Sequence, residues 1–529
     1  MSNKEIDDNG EKQQSFVEVF LEEIVQLKWR ALFVECLITI GSYYIYDFPG
    51  SIGTGPGNTI EAKFRASNQT YTQGMNLALY SVYSWPNTVL AIFGGLLIDK
   101  YLGLRRAMLL FCGLVTVGSG FFWLGVVLTS YPVIFFGRLC FGFGAESLTV
   151  SQSAFTARWF KNGRGLSLAF ALTVSFSRVG SSFNFLFSPM IANKSGIEVA
   201  TFTGFMICVF SMLACVFLVW LDRLGQQRGC VSEEAKEHAP PFSCKQLKDL
   251  PLLMWVISAI TLCSYSAIFP FVGFAENFFE VKYGVSPVSA GQSVSLYQGL
   301  SAGGLPLTGF MVDVFGRHCI FLIASLSGLS LVHVLFLAVA LPPKLMMALL
   351  ALFYSVMVAS LWTTVPFVVD DTVTGFAYGV MTAVQNFGLA VFPLFTGAIL
   401  DGYTPSASSV TATPMASSAS GQGSDDGILP TLAGYRLAIT VLLVSASMGC
   451  ALAIVLFISD RRRTGVLAAS PSRRRQIKFS LDEIEKPFSS EDSVEGSYPT
   501  NDTHPAHDAP SGDDSAVELH TKNALYEDS

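Results

Sequence analysis

Residues 95–106 read GLLIDKYLGLRR, and residues 309–318 read GFMVDVFGRH. Both hold Gly-x-x-x-Asp, then a glycine, then arginine: Gly95, Asp99, Arg105 and Arg106 in the first, Gly309, Asp313 and Arg317 in the second. Each closes an apolar run. One copy alone reads as an ordinary turn that stops a membrane span. Two copies at equivalent points of the chain predict a duplicated architecture.

The runs around them set its class. Of 529 residues 51% are hydrophobic and 14% charged, and mean hydropathy is +0.47. A soluble chain carries about a quarter charged residues. Twelve apolar runs approach or exceed the roughly 20 residues that cross a bilayer; they fall near 31–48, 76–98, 106–128, 131–157, 165–188, 199–221, 251–278, 291–312, 318–340, 345–368, 376–400 and 434–458. The expectation is an all-α polytopic membrane protein of twelve transmembrane helices in two pseudo-symmetric six-helix halves, residues 30–221 and 251–460. Residues 1–29 form an N-terminal segment, 222–250 a linker, 401–433 a flexible Ser-rich loop and 461–529 an acidic tail expected to be disordered. Val17, Phe20, Leu21 and Ile24 give residues 15–30 one apolar face, which suits either an interfacial helix or a lead-in to the first span.

Basic residues fix the orientation. Lys100, Arg105 and Arg106, then Arg158, Lys161 and Arg164, then Arg223 and Arg228, and finally Arg461, Arg462 and Arg463 all follow even-numbered spans. That side is expected to be cytosolic, with both termini on it. Sequons at Asn68 and Asn193 then lie on the outer side, open to glycosylation. No basic leader with a cleavage site precedes the first span. The 10 cysteines form no CxxC pair and read as small packing residues, so no metal is expected. No Walker A, nucleophile-elbow or HExxH sequence occurs, so no enzyme and no cofactor is expected.

Charge inside the spans carries the functional signal. Glu146 lies near the middle of the fourth span and Arg178 near the middle of the fifth. Each costs about 2.5–3.5 kcal/mol at a helix centre on insertion scales, and such residues face a bundle interior or cavity. Two uses remain open: a buried Glu146–Arg178 pair that fixes packing, or a clamp in which the carboxylate meets an ammonium group and the guanidinium a carboxylate. The second suits a zwitterion. Tyr44, Tyr83, Tyr265 and Trp362 are candidate aromatic contacts for a cationic group. Asn386 is a mid-span amide that needs a partner. Glu35 reads as facing the cytosolic headgroups and Glu276 as lying in the outer mouth.

The duplicated turn resembles the signature of the major facilitator superfamily after spans 2 and 8, with one residue more between Lys100 and Gly103 than is usual. In that resemblance the glycine allows close helix approach and the aspartate sits at a partner helix's N-terminus. Arg138, Gly142 and Gly144 resemble the span-4 motif, in which the arginine is often linked to proton coupling; coupling and packing both stay open here. The stretches GSYYIYDFPG (41–50), YSVYSWPNTVL (80–90), FGRLCFGFGAES (136–147), SFSRVGSSFN (175–184), YSAIFPFVGF (265–274), AYGVMTAVQNFGLA (377–390) and RRRQIKFS (473–480) are similar to the lysosomal dipeptide-transporter branch. That resemblance implies a uniporter moving Lys-, Arg- or His-containing dipeptides from lumen to cytosol, with Glu146 and Arg178 on the peptide's two ends. It also implies a glycosylated lysosomal accessory membrane protein as partner. No clean acidic dileucine sorting signal stands in residues 1–30. A proton-coupled carrier of another organic anion or zwitterion is the alternative, and a non-transporting receptor on the same fold the third reading.

Overall fold

The structure, a computed structural model, describes residues 16–55, 57–96, 101–160, 166–229, 250–369, 374–405, 429–463, 465–470 and 473. The described residues fold into α1 (Phe16–Tyr46), α2 (Phe48–Ile52), α3 (Ile60–Ala66), α4 (Gln73–Leu96), α5 (Leu104–Val127), α6 (Tyr131–Phe160), α7 (Leu166–Ser195) and α8 (Ile197–Gln227). They continue as α9 (Leu252–Tyr283), α10 (Pro287–Phe315), α11 (His318–Ala338), α12 (Pro343–Trp362), α13 (Thr374–Gly402) and α14 (Leu432–Arg463). All but the short α2 and α3 have at least 20 residues. In lipid every backbone group must be satisfied within the element, which helices achieve. Eight of the helices are long and apolar enough to cross a membrane by length and composition. The other four, α1, α4, α7 and α10, carry hydroxyls and amides that bond to neighbouring helices instead of facing lipid. Ser182 of α7 on Ser295 of α10 is one such contact. The stretch 15–30 is no separate interfacial element from Phe16 onward, because α1 runs through it unbroken.

Buried apolar residues form two cores. One draws on α1 through α8; the other draws on α9 through α14 and takes in Leu77 and Tyr80 of α4 and Phe185 of α7. Within the first, α5 packs on α6 and α8, and α1 on α7 and α8; within the second, α9 packs on α13 and α14, and α10 on α12. The α4–α13 and α7–α10 contacts join the two. Small residues set the approach of α6. A Cβ on Gly144 would stand 2.6 Å from the Phe111 carbonyl of α5, and one on Gly142 2.8 Å from the Tyr83 carbonyl of α4. Both obstacles are backbone, which cannot swing aside. Gly144→Val is therefore expected to cost about 1–3 kcal/mol through overpacking, read as a lower thermal midpoint in detergent; an unchanged midpoint would refute the close-approach role.

The first helix is broken on purpose. Pro49 has no N–H for the Ile45 carbonyl four residues back, so the ladder stops and the chain re-forms as α2 after Asp47. The freed carbonyls need donors, and Arg138 of α6 supplies them.

Candidate functional site

Arg138 is fully buried. Its Nη1 donates to the Ile45 carbonyl at 2.9 Å, its Nη2 to the Tyr46 carbonyl, and its Nε to the Leu79 carbonyl at 3.1 Å. The rings of Tyr46, Tyr80, Tyr83 and Phe141 surround the guanidinium at 5.1–6.0 Å. A cation at a helix C-terminus is favourable, and three carbonyls use the fork well. Arg138, on α6, fastens the α1 break to α4.

Eight residues on, Glu146 meets a different environment. Its Oε1 accepts from the Tyr83 hydroxyl at 3.0 Å, and its side chain is half-buried. Arg178 of α7 donates through Nη2 to the Tyr354 hydroxyl of α12. Its charge lies 5.0 Å from the Tyr354 ring, 5.7 Å from Phe269 and 5.8 Å from Tyr43. The two charges feel each other but form no ion pair: among the described residues the pairs are Lys63–Glu198, Arg65–Glu61, Arg105–Asp222 and Arg158–Asp222. The fixed-pair reading is thus corrected. Each charge ends on one tyrosine hydroxyl, which leaves further bonding capacity on the carboxylate and on the five-donor guanidinium.

An aromatic wall extends from Arg178. The Trp362 Nε1 donates to the Tyr265 hydroxyl at 2.9 Å, Tyr265 stacks on Phe269, and Trp362 stacks on Tyr378. Tyr83 thus bonds Glu146, while Tyr265 and Trp362 belong to this wall. Tyr44 joins neither: its hydroxyl accepts from Ser188 at 2.9 Å and its ring abuts Phe48 inside the first core. Its neighbour Tyr43 takes the place beside Arg178. Asn386 is fully buried and donates to the Thr382 carbonyl one turn back at 3.1 Å, apart from the charged pair. Tyr43, Tyr354 and Phe269 were not singled out in the sequence, since one aromatic in an apolar run looks like any other.

A sequence model described as Major Facilitator Superfamily matches residues 50–393. The chain belongs to the major facilitator superfamily. It is 30% identical over 459 residues to the lysosomal dipeptide transporter MFSD1 of Homo sapiens, covering 85% of this chain and 90% of that one. The protein of the same name from Danio rerio is 32% identical over 376 residues, 69% of this chain and 79% of that one. Among solved structures, a mutant of the nucleoside transporter NupG superposes with a TM-score of 0.57 at 16% identity, over 82% of this chain and 99% of that one. A mutant of the peptide transporter POT, in complex with sulfate, gives 0.57 at 12% identity, over 80% and 94%. At such identities these two speak for the fold alone. The chain is a multi-pass membrane transporter.

Within this superfamily member the duplicated turn is used unequally. Gly95 lies in the last turn of α4, and Asp99 falls outside the described residues. Arg105 reaches Asp222 at the end of α8 (Nε–Oδ2 2.5 Å) and Gln226 (2.6 Å). Asp222, fully buried, also takes Arg158 at 3.2 Å and the Trp159 indole at 2.8 Å. Arg106 is exposed. Among the described residues the second copy shows no such lock. Asp313 and Arg317 are exposed, and no described atom lies within 4 Å of a Cβ on Gly309. Close approach at Gly309 is thus corrected, and Arg317 rather than the aspartate stands at the N-cap position of α11, in a left-handed conformation at φ 50° and with no side-chain capping bond.

Two further acids overturn their sequence reading. Glu35 faces no headgroups: it is fully buried and accepts from Thr156 at 2.6 Å. Glu276 lies in no open mouth, being 3% exposed. Asn68 and Asn193 are both exposed.

Proposed function

We propose that this chain is a dipeptide uniporter of the lysosomal membrane, exporting Lys-, Arg- or His-containing dipeptides to the cytosol by alternating access of residues 30–221 against 251–460. Both termini are cytosolic in this reading, and the end of the bundle that carries α3 faces the lumen. The observation that carries it is the unpaired state of Glu146 and Arg178, each held by a tyrosine and each able to take more bonds. The peptide's ammonium group meets Glu146, and its carboxylate takes the Arg178 fork in place of Tyr354. Its basic side chain lies against the wall of Tyr265, Trp362 and Tyr378. The name shared by the curated relatives supports both substrate class and compartment.

The test is uptake of a lysine-containing dipeptide into proteoliposomes. The expected plateau is the same with and without an imposed pH gradient. A plateau that rises with the gradient would favour the proton-coupled alternative, and no uptake by folded protein would remove the dipeptide. Tyr83→Phe deletes one hydrogen bond to a charged group, worth about 1.5 kcal/mol. It is expected to raise KM about tenfold, and an unchanged KM would place the ammonium elsewhere. Asn68 and Asn193 carry glycans in this reading, and a glycosidase mobility shift lost in the Asn→Gln variants checks it. A glycosylated accessory membrane protein follows from kinship alone; a co-purified lysosomal glycoprotein would bear it out.

A further inference from the structure

At the α3 end the two cores close on each other through a polar seam. The Asp401 carboxylate of α13 accepts from the Thr72 hydroxyl and from the Gly74 N–H at the start of α4, both at 2.8 Å. The Asn277 amide of α9 donates to Thr54 at 2.7 Å and to Gln73 at 3.3 Å. Deeper in, Ser182 meets Ser295. Beside these satisfied contacts stand two carboxyls that are not satisfied. Glu276 and Glu280 lie one turn apart on α9, flanking Asn277. The Glu276 Oε1 points at the α7–α10 crossing, 3.0 Å from a Cβ built on Gly291, which itself would press on the Phe185 carbonyl at 2.6 Å. Among the described residues that oxygen and the Glu280 Oε2 are buried with no hydrogen-bond partner. The Gln73 Nε2 and the Tyr435 hydroxyl nearby are also buried without one.

The charged groups around them offer no neutralisation. Asp47, at the α1 break, and Glu280 both face Glu276 with like sign. Tyr435 of α14 stands in the field of both Glu280 and Glu61 of α3. Glu61 is already engaged by the Gly55 N–H and by Arg65. Lys282 turns to the Phe336 and Val339 carbonyls, and its cationic neighbour Arg436 is exposed. An unpaired carboxylate cannot stay charged in such a place at a tolerable cost.

We infer that Glu276 and Glu280 form a proton-binding site in this seam, occupied while the seam is closed and emptied to the lumenal side when it opens. The ligand is the proton itself. Ionised carboxylates require water, so ionisation favours the open seam; acid holds the seam shut, and a rise in lumenal pH releases it. Because the proton enters and leaves on one side, the site sets the rate of opening and drives no accumulation. The inference rests on the proposed orientation, not on the identity of the cargo.

Hydrogen–deuterium exchange of the full chain in nanodiscs tests it without any substrate. Exchange of peptides from residues 73–80 and 287–295 is followed from pH 5 to 7.5 and normalised to the intrinsic amide rate at each pH. Protection is expected to fall at least tenfold across that range in the wild type. It is expected to stay flat in Glu276→Gln/Glu280→Gln, with protection of residues 104–160 unchanged as the folding control. Asp401→Asn is expected to lower seam protection at every pH yet keep its pH dependence. Wild-type protection independent of pH overturns the proposal even if the double variant fails to fold. So does a pH dependence that survives in the double variant or disappears in Asp401→Asn. Failure here leaves the dipeptide reading standing, and failure of uptake leaves this site standing.

Discussion

Replacing Arg178 by alanine is expected to abolish dipeptide uptake while leaving the protein folded. Among the described residues the guanidinium has one hydroxyl partner, Tyr354, and no salt-bridge partner, so its removal breaks no ion pair. What disappears is the fork offered to the substrate's carboxylate. Two charge-assisted bonds at about 1.5–3 kcal/mol each amount to about 3–6 kcal/mol, or on the order of a hundred- to ten-thousandfold in kcat/KM. Arg178→Lys keeps the charge but loses the bidentate geometry, and an intermediate loss is expected. Initial uptake rates over a substrate series, with monodispersity and thermal midpoint as controls, check it. An alanine variant within threefold of wild type would show that the carboxylate is bound elsewhere.

Asp222→Ala is expected to do the opposite, damaging stability before transport. The buried carboxylate gathers Arg105 from α5, Arg158 and Trp159 from α6, and sits itself at the end of α8. Without it two arginines face each other across a desolvated junction. Breaking such a pair costs about 3–5 kcal/mol, because a buried charge loses its counter-ion. Lower yield and a depressed thermal midpoint in detergent are the readouts. A second variant, Asp222→Ala with Arg105→Gln, is expected to recover part of the loss, since one orphaned charge is then gone. Equal midpoints for wild type and Asp222→Ala would mean that the junction is solvated.

The twelve-helix plan was legible because lipid demands long apolar helices, and the duplication because Gly309, Asp313 and Arg317 echo the first turn. The break at Asp47 was within reach of the same reading: a proline four residues after Ile45 removes a definite hydrogen bond. Glu146 and Arg178 stood out because charge in an apolar run is expensive. Their partners were harder. Tyr43 and Tyr44 are adjacent, about 100° apart around a helix of 3.6 residues per turn, and no local signal says which of them faces the site. Tyr354 lies within ALLALFYSVMV and looks like core until Arg178, 176 residues away in the chain, is brought against it. Asp222 reads as one of several charges flanking a span, because its role depends on Arg105, 117 residues earlier. Glu35 and Glu276 misled for a related reason. Position near a span end suggests water, whereas neighbouring helices here extend far enough to cover both.

The unequal use of the duplicated turn bears on how this architecture is recognised in distant sequences. A change at Arg105 disturbs a junction of three helices, whereas a change at Arg317 alters a side chain in contact with solvent. Selection is therefore expected to guard the first copy more closely, and neutral drift to erase the second one first. A diverged chain with a single readable turn would still descend from the same duplication, its missing half lost from the text and kept in the fold.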